Sequence, residues 1–287
     1  HGKGRVIVSA VEHPAVYESA RQLERLGFAL TVLPVDGEGF VCPQSLADAM
    51  GDDVFLVSVM TAGNETGSVQ PVRELAAIAH SHGALFHTDA VQAAGALPLN
   101  VRELGCDMLS LSAHKFGGPK GFGALYVKNG VRLEALHSGG EQERGKRGGT
   151  SDVAGACGTA AALSAAVRDM VAVSARGRAL KDAFAKRVLK DIGGAVLHGT
   201  LDEGRSLPGI VNLGFAGVTG EELLFSLDLA GIAASNGSAC SAGSTEPSRT
   251  LLAMGLTPAE AKGAVRFSFG RDNTPEDAEA AFAALKS

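Results

Sequence analysis

Through its first 130 residues the sequence alternates short β-branched runs with longer amphipathic segments. That alternation is the signature of crossover βαβ units, which produce a largely parallel sheet covered by helices. The pattern predicts strands at Arg5–Ser9, Ala29–Pro34, Val54–Met60, Leu85–Thr88, Met108–Ser112 and Ala124–Val127. Helices are expected at Ala15–Leu26 and Val72–His82, where apolar residues recur at helical spacing. The last two strands are joined by Lys115-Phe-Gly-Gly-Pro-Lys-Gly121. This link is too short for a crossover helix, so that sheet edge is expected to turn antiparallel. Beyond Thr150 the texture changes to Ala-rich helix reaching about Leu189, then short strands near Ala195–His198 and Ile210–Phe215. The expected organisation is a large α/β domain at 1–170 and a smaller α+β domain at 171–287.

Composition narrows the function classes. Among 287 residues, 31 acidic side chains exceed 26 basic ones, for a net charge of −5, which argues against a nucleic-acid partner. No uncharged apolar run approaches the ~18 residues of a spanning helix. The least charged stretch, Val153 to Val167, is mostly Ala, Gly, Ser and Thr and reads as a tightly packed internal helix. The four cysteines, Cys42, Cys106, Cys157 and Cys240, form no C-x-x-C pair. That spacing argues against a zinc or iron–sulfur site and against a disulfide framework. A reducing, cytoplasmic setting is expected. Glycine-rich stretches such as Gly117–Gly123 match neither the P-loop nor G-x-G-x-x-G. The chain starts at His1 and runs directly into a strand, so residues that precede it are expected to be missing.

In an open α/β sheet, ligands sit outside the carboxyl ends of the strands. The polar residues there are Asp89 and Gln92 after the fourth run, His114 and Lys115 after the fifth, Asn64 after the third, and His13 after the first. Singly, a strand-end Asp reads as a turn or cap residue and a Lys before Gly-Gly-Pro as a solvated loop residue. Together they suggest pyridoxal phosphate chemistry. A lysine in a water-poor crevice forms a Schiff base with an aldehyde, and a buried carboxylate keeps a pyridine nitrogen protonated. Ser112 and His114 are placed to donate to a phosphate, and His13 to stack on a ring.

Ser112-Ala-His-Lys115-Phe-Gly-Gly-Pro-Lys-Gly121 together with His87-Thr-Asp89-Ala-Val-Gln92 resembles the cofactor signature of the class V aminotransferases. Within that family it is similar to the cysteine desulfurases of the NifS/IscS type. The likeness extends over nearly the whole chain. It includes Glu12-His13-Pro-Ala-Val16, Asn64-Glu-Thr-Gly67, the segment Gly139–Thr150, Ser238-Ala-Cys240 with Glu246-Pro-Ser248, and Val265–Arg271.

The resemblance implies fold type I of the pyridoxal phosphate enzymes, with a mostly parallel sheet of seven-stranded type and a smaller C-terminal domain. It implies that Lys115 carries pyridoxal 5′-phosphate, Asp89 pairs with the pyridine nitrogen, Gln92 contacts the phenolic oxygen and His13 stacks on the ring. Ser112 and His114 would hold the phosphate, with Thr150 reaching it from the other subunit of a homodimer. Asn64 and Arg266 would bind the substrate L-cysteine. Cys240 would be the nucleophile that receives sulfur as a persulfide and passes it to an acceptor such as an iron–sulfur scaffold. The segment around it, Ala234–Thr245, is small and polar and predicts an exposed loop. Cys106 and Cys157 read as small buried hydrophobes, and Cys42 as core or surface.

Three departures stand out. The family's early Gly-Ala-Thr phosphate loop has no counterpart, so this chain alone is expected to hold the cofactor weakly or not at all. Gly149 stands where relatives usually have Ser, and Gly63 where a second Asn is common. Alternatives left open are a selenocysteine lyase, a true aminotransferase, and a non-catalytic truncated homologue.

Overall fold

The computed structural model describes residues 4–236 and 246–286. The first sheet holds β1 (Arg5–Ser9), β2 (Ala29–Leu33), β3 (Val54–Ser58), β4 (Leu85–Asp89), β5 (Met108–Ser112) and β6 (Gly123–Val127). Their spatial order is β2-β1-β3-β4-β5-β6. All neighbours are parallel except β5 and β6, which pair antiparallel from Met108 opposite Val127 to Ser112 opposite Gly123. The antiparallel edge follows from the short 115–121 link. Among the described residues this sheet has six strands, mostly parallel as expected.

Helices α1 (Pro14–Arg25), α2 (Pro43–Ala49), α3 (Val72–Ser81) and α4 (Val101–Leu104) connect these strands. In α3, Val72, Leu75, Ala76 and Ala79 are buried, the i, i+3, i+4, i+7 stripe of a helix facing a sheet. They pack with Ile7, Val57, Phe86 and Leu109 in the main core. Each such large side chain contributes about 1.5–3 kcal/mol on burial. On the other face, Val16, Tyr17 and Leu23 of α1 cover Val6 and Val8. Pro14 opens α1 at a position where its fixed φ and missing N–H carry no penalty.

The second sheet is antiparallel, in the order β7 (Ala195–His198), β8 (Ile210–Phe215) and β9 (Ala264–Ser268). Strand β9 is a finding that the periodicity did not predict. Val265 and Phe267 face the core while Arg266 faces away, a period-two pattern in only five residues. The remaining helices are α5 (Gln142–Gly145), α6 (Val153–Asp191), α7 (Gly220–Leu229), α8 (Arg249–Ala253), α9 (Pro258–Lys262) and α10 (Pro275–Lys286).

Helix α6 runs unbroken for 39 residues. Its C-terminal half supplies Phe184, Ala185 and Val188 to the core of the second sheet, and the buried Lys181 donates to Ser206 Oγ and the Leu207 carbonyl. The expectation of a tightly packed internal helix fails for the N-terminal half. By length and composition α6 could cross a membrane, yet only 6% of its most apolar window is buried here. Val171 is 78% exposed. Small residues such as Gly155 and Gly158 bring one edge close to Phe122 and Pro119, and the opposite edge is left uncovered by the described residues. Cys157 lies on that open side and is exposed, contrary to the buried reading, whereas Cys106 is buried and Cys42 is exposed.

Candidate active site

Because β1, β3, β4 and β5 are parallel neighbours, their carboxyl ends lie along one sheet edge. Asp89 is the last residue of β4 and Ser112 the last of β5. His13 follows β1 and caps α1, its Nδ1 accepting from Ala15 N–H at 3.1 Å. That bond fixes the ring and leaves Nε2 as the protonated nitrogen of the neutral form. Lys115 sits in a single 3₁₀ turn, Ala113–Phe116, closed by Gly117 at φ +85°. A left-handed backbone there is why the residue after the turn is glycine.

The site is buried at Asp89 and open at the lysine turn: Lys115 and His114 are exposed, contrary to the expected water-poor crevice around the amine. Asp89 is 7% exposed, and its Oδ1 accepts from Val91 N–H at 2.9 Å. Burial pushes its pKa up, opposed by that hydrogen bond and by the nearby His13 and Lys115. Burial lowers the His13 pKa, with Lys115 and Arg249 acting in the same sense and Asp89 and Glu65 opposing them. His13, Asp89 and Lys115 are thus near enough for each one's charge to act on the others. Ser112 Oγ lies 2.9 Å from His114 Nδ1, so hydroxyl and imidazole form one polar pair at the head of the lysine turn.

A cavity of about 720 Å³ opens beside Lys115, with Gln92 and Arg266 also in its wall and Ala162, Ala165 and Ala166 of α6 opposite. Arg266, on β9, donates through Nη1 to the Asn64 carbonyl at 2.8 Å. This joins the expected substrate-binding pair across the two sheets. Thr150 is exposed in the loop between α5 and α6. Cys240, the expected nucleophile, lies outside the described residues.

The donor set fits pyridoxal phosphate. A buried carboxylate whose charge is penalised by desolvation suits a cationic ring nitrogen, a primary amine stands beside it, and a hydroxyl and imidazole suit a phosphate. Of the expected residues, Asp89, His13 and Lys115 act on one another electrostatically, Gln92 and Lys115 share the cavity wall, and Ser112 pairs with His114.

Sequence reasoning missed what lies beneath them. Glu12, 1% exposed, accepts through Oε1 from Ser9 Oγ at 2.6 Å and Met60 N–H at 2.8 Å. Burial raises its pKa from 4.5 to about 8. Nothing in Val-Glu-His signals this raised pKa, because burial is a tertiary property. Between pH 4.5 and about 8 the unfolded chain releases a proton that the folded chain keeps, so stability falls with rising pH across that window. Glu12→Gln is expected to flatten this fall, as measured by melting temperature against pH.

The aminotransferase class-V family model matches residues 1–281. The cysteine desulfurase IscS of Dictyoglomus turgidum is 47% identical over 276 residues, covering 96% of this chain and 70% of the relative. A cysteine desulfurase of Gluconacetobacter diazotrophicus is 46% identical, covering 97% and 69%. Among solved structures, a NifS-like protein superposes with a TM-score of 0.91 at 34% identity, covering 99% of this chain and 74% of its own. SspA in complex with cysteine reaches 0.77 at 32%, covering 95% and 75%. With the motifs, the sheet order and this coverage in agreement, the chain belongs to the class-V aminotransferase family, on the branch of the NifS/IscS-type cysteine desulfurases.

Proposed function

We propose that the protein is a pyridoxal 5′-phosphate-dependent cysteine desulfurase, converting L-cysteine to L-alanine with transfer of sulfur to Cys240. The observation that carries this reading is the convergence of His13, Asp89 and Lys115 at the carboxyl edge of four parallel strands. When bound, the cofactor supplies an aldehyde for the substrate amine and a ring that withdraws electrons from Cα.

The chain's own residues do the rest. Asp89 holds the proton on the ring nitrogen, and His13 packs on the ring face. Gln92 contacts the phenolic oxygen. Ser112 and His114 hold the phosphate, joined by Thr150 from a second subunit in a homodimer. Asn64 and the planar Arg266 fork grip the substrate carboxylate. Lys115 Nζ would take the α-proton of the substrate.

The Cys240 thiolate then attacks the substrate sulfur. An S–S bond forms as the substrate Cβ–S bond breaks, and the electron pair stays with the carbon skeleton, which is protonated to alanine. The persulfide passes to an acceptor protein such as an iron–sulfur scaffold. We place this in the cytoplasm, where thiols stay reduced, and the domain boundary near residue 170, within α6.

Full-length protein incubated with L-cysteine and a thiol reductant is expected to yield alanine and sulfide in equal amounts. Cys240→Ser is expected to lower this turnover by at least about 10²-fold while leaving cofactor absorbance intact. Full turnover in that variant overturns the role of Cys240, and consumption of a keto acid instead assigns transamination.

A further inference from the structure

At the end of the Glu246-Pro-Ser248 motif, two consecutive residues, Ser248 and Arg249, reach from the small domain onto the large one. Ser248 Oγ donates to Glu65 Oε2, beside the Asn64 carbonyl that Arg266 holds. The Arg249 guanidinium donates to the carbonyls of Ala10 and Glu12 and lies 3.8 Å over the Tyr17 ring. Those two carbonyls belong to the turn that ends at His13, and Tyr17 belongs to the helix that His13 caps. The buried Glu12 side chain anchors the same turn from below, on Ser9 and Met60.

We propose that Arg249 is a positioning residue for His13, holding its turn so that the ring stacks on the cofactor, and thereby coupling the seating of the small domain to cofactor binding. The inference rests on the proposed pyridoxal phosphate reading. A planar guanidinium with several donors in a fixed fork satisfies two carbonyls while stacking on an aromatic face, and an ammonium does not. Without the fork, the turn loses its link to α8 and keeps its bonds to Leu33, Ser9 and Met60, so the backbone that carries the His13 ring gains freedom. The charged groups facing that ring are Asp89 from β4, Lys115 from its turn, Glu65 from the 63–68 loop and Arg249 from α8.

The test compares full-length wild type, Arg249→Gln, Arg249→Lys and a control, Arg205→Gln. Arg205 stacks on Phe40 and pairs with Glu38, so its loss removes a comparable clamp away from His13. The readouts are melting temperature, pyridoxal 5′-phosphate affinity by absorbance titration after cofactor removal, and KM for L-cysteine. Arg249→Gln is expected to weaken cofactor affinity about tenfold, with Arg249→Lys intermediate and Arg205→Gln at wild-type affinity despite a lowered melting temperature. Equal losses of melting temperature in Arg249→Gln and Arg205→Gln, with cofactor affinity unchanged in both, overturn the proposal. If Arg249→Gln does not fold, Arg249→Lys at wild-type affinity overturns it equally. A wild type that takes up no cofactor sinks the functional reading itself, a result distinct from either.

Discussion

Replacing Lys115 by Ala is expected to reduce turnover of L-cysteine by about 10⁴-fold or more, since both the covalent hold on the cofactor and the base at Cα are lost. The local structure makes this clean. Lys115 lies in a four-residue 3₁₀ turn whose fold depends on Gly117, on Gly118 N–H donating to the Ala113 carbonyl and on Ala113 N–H donating to Phe122. None of these uses the lysine side chain, so the variant keeps its fold, and melting temperature checks that. Borohydride treatment of wild type followed by peptide mapping is expected to find the vitamin B6 group on the peptide containing residue 115, and on no peptide of the variant. A wild type labelled elsewhere overturns the assignment.

Asp89→Asn is expected to lower turnover by about 10²–10³-fold, because an amide does not hold the ring nitrogen in its cationic form and the electron sink weakens. The same substitution is expected to raise the melting temperature of the cofactor-free protein. A buried carboxylate whose pKa is raised mainly by desolvation costs stability until a cation stands beside it, and an amide removes that charge. The Val91 N–H bond to Oδ1 is one that the asparagine carbonyl retains. Opposite signs for activity and stability separate a functional carboxylate from a structural cap. A capping Asp would lose melting temperature on the same change and leave turnover untouched.

The strands of the first sheet were legible in the sequence nearly residue for residue, because each is a short, mostly apolar run bounded by turn residues, and the central β1 is buried on both faces. Val6, Ile7, Val8 and Ser9 are all buried. β9 was not legible, since five residues of alternation around an arginine resemble many loops. The open side of α6 was misread for a related reason: a run of Ala, Gly, Ser and Thr packs tightly or lies bare with equal ease, and only neighbours decide.

The chemistry divides along the same line. Residue types at strand ends and the Ser112–Gly121 motif led, without coordinates, to the expectation that a lysine, a carboxylate and two imidazoles share one sheet edge, because parallel strand order brings the carboxyl ends together. Only the tertiary structure decided that Glu12 is buried with its pKa raised, that Arg249 and Ser248 grip the turns carrying His13 and Asn64, and that Arg266 joins the second sheet to the first. Desolvation and contacts between residues nearly 240 positions apart come into being when distant segments pack, and no local pattern records them.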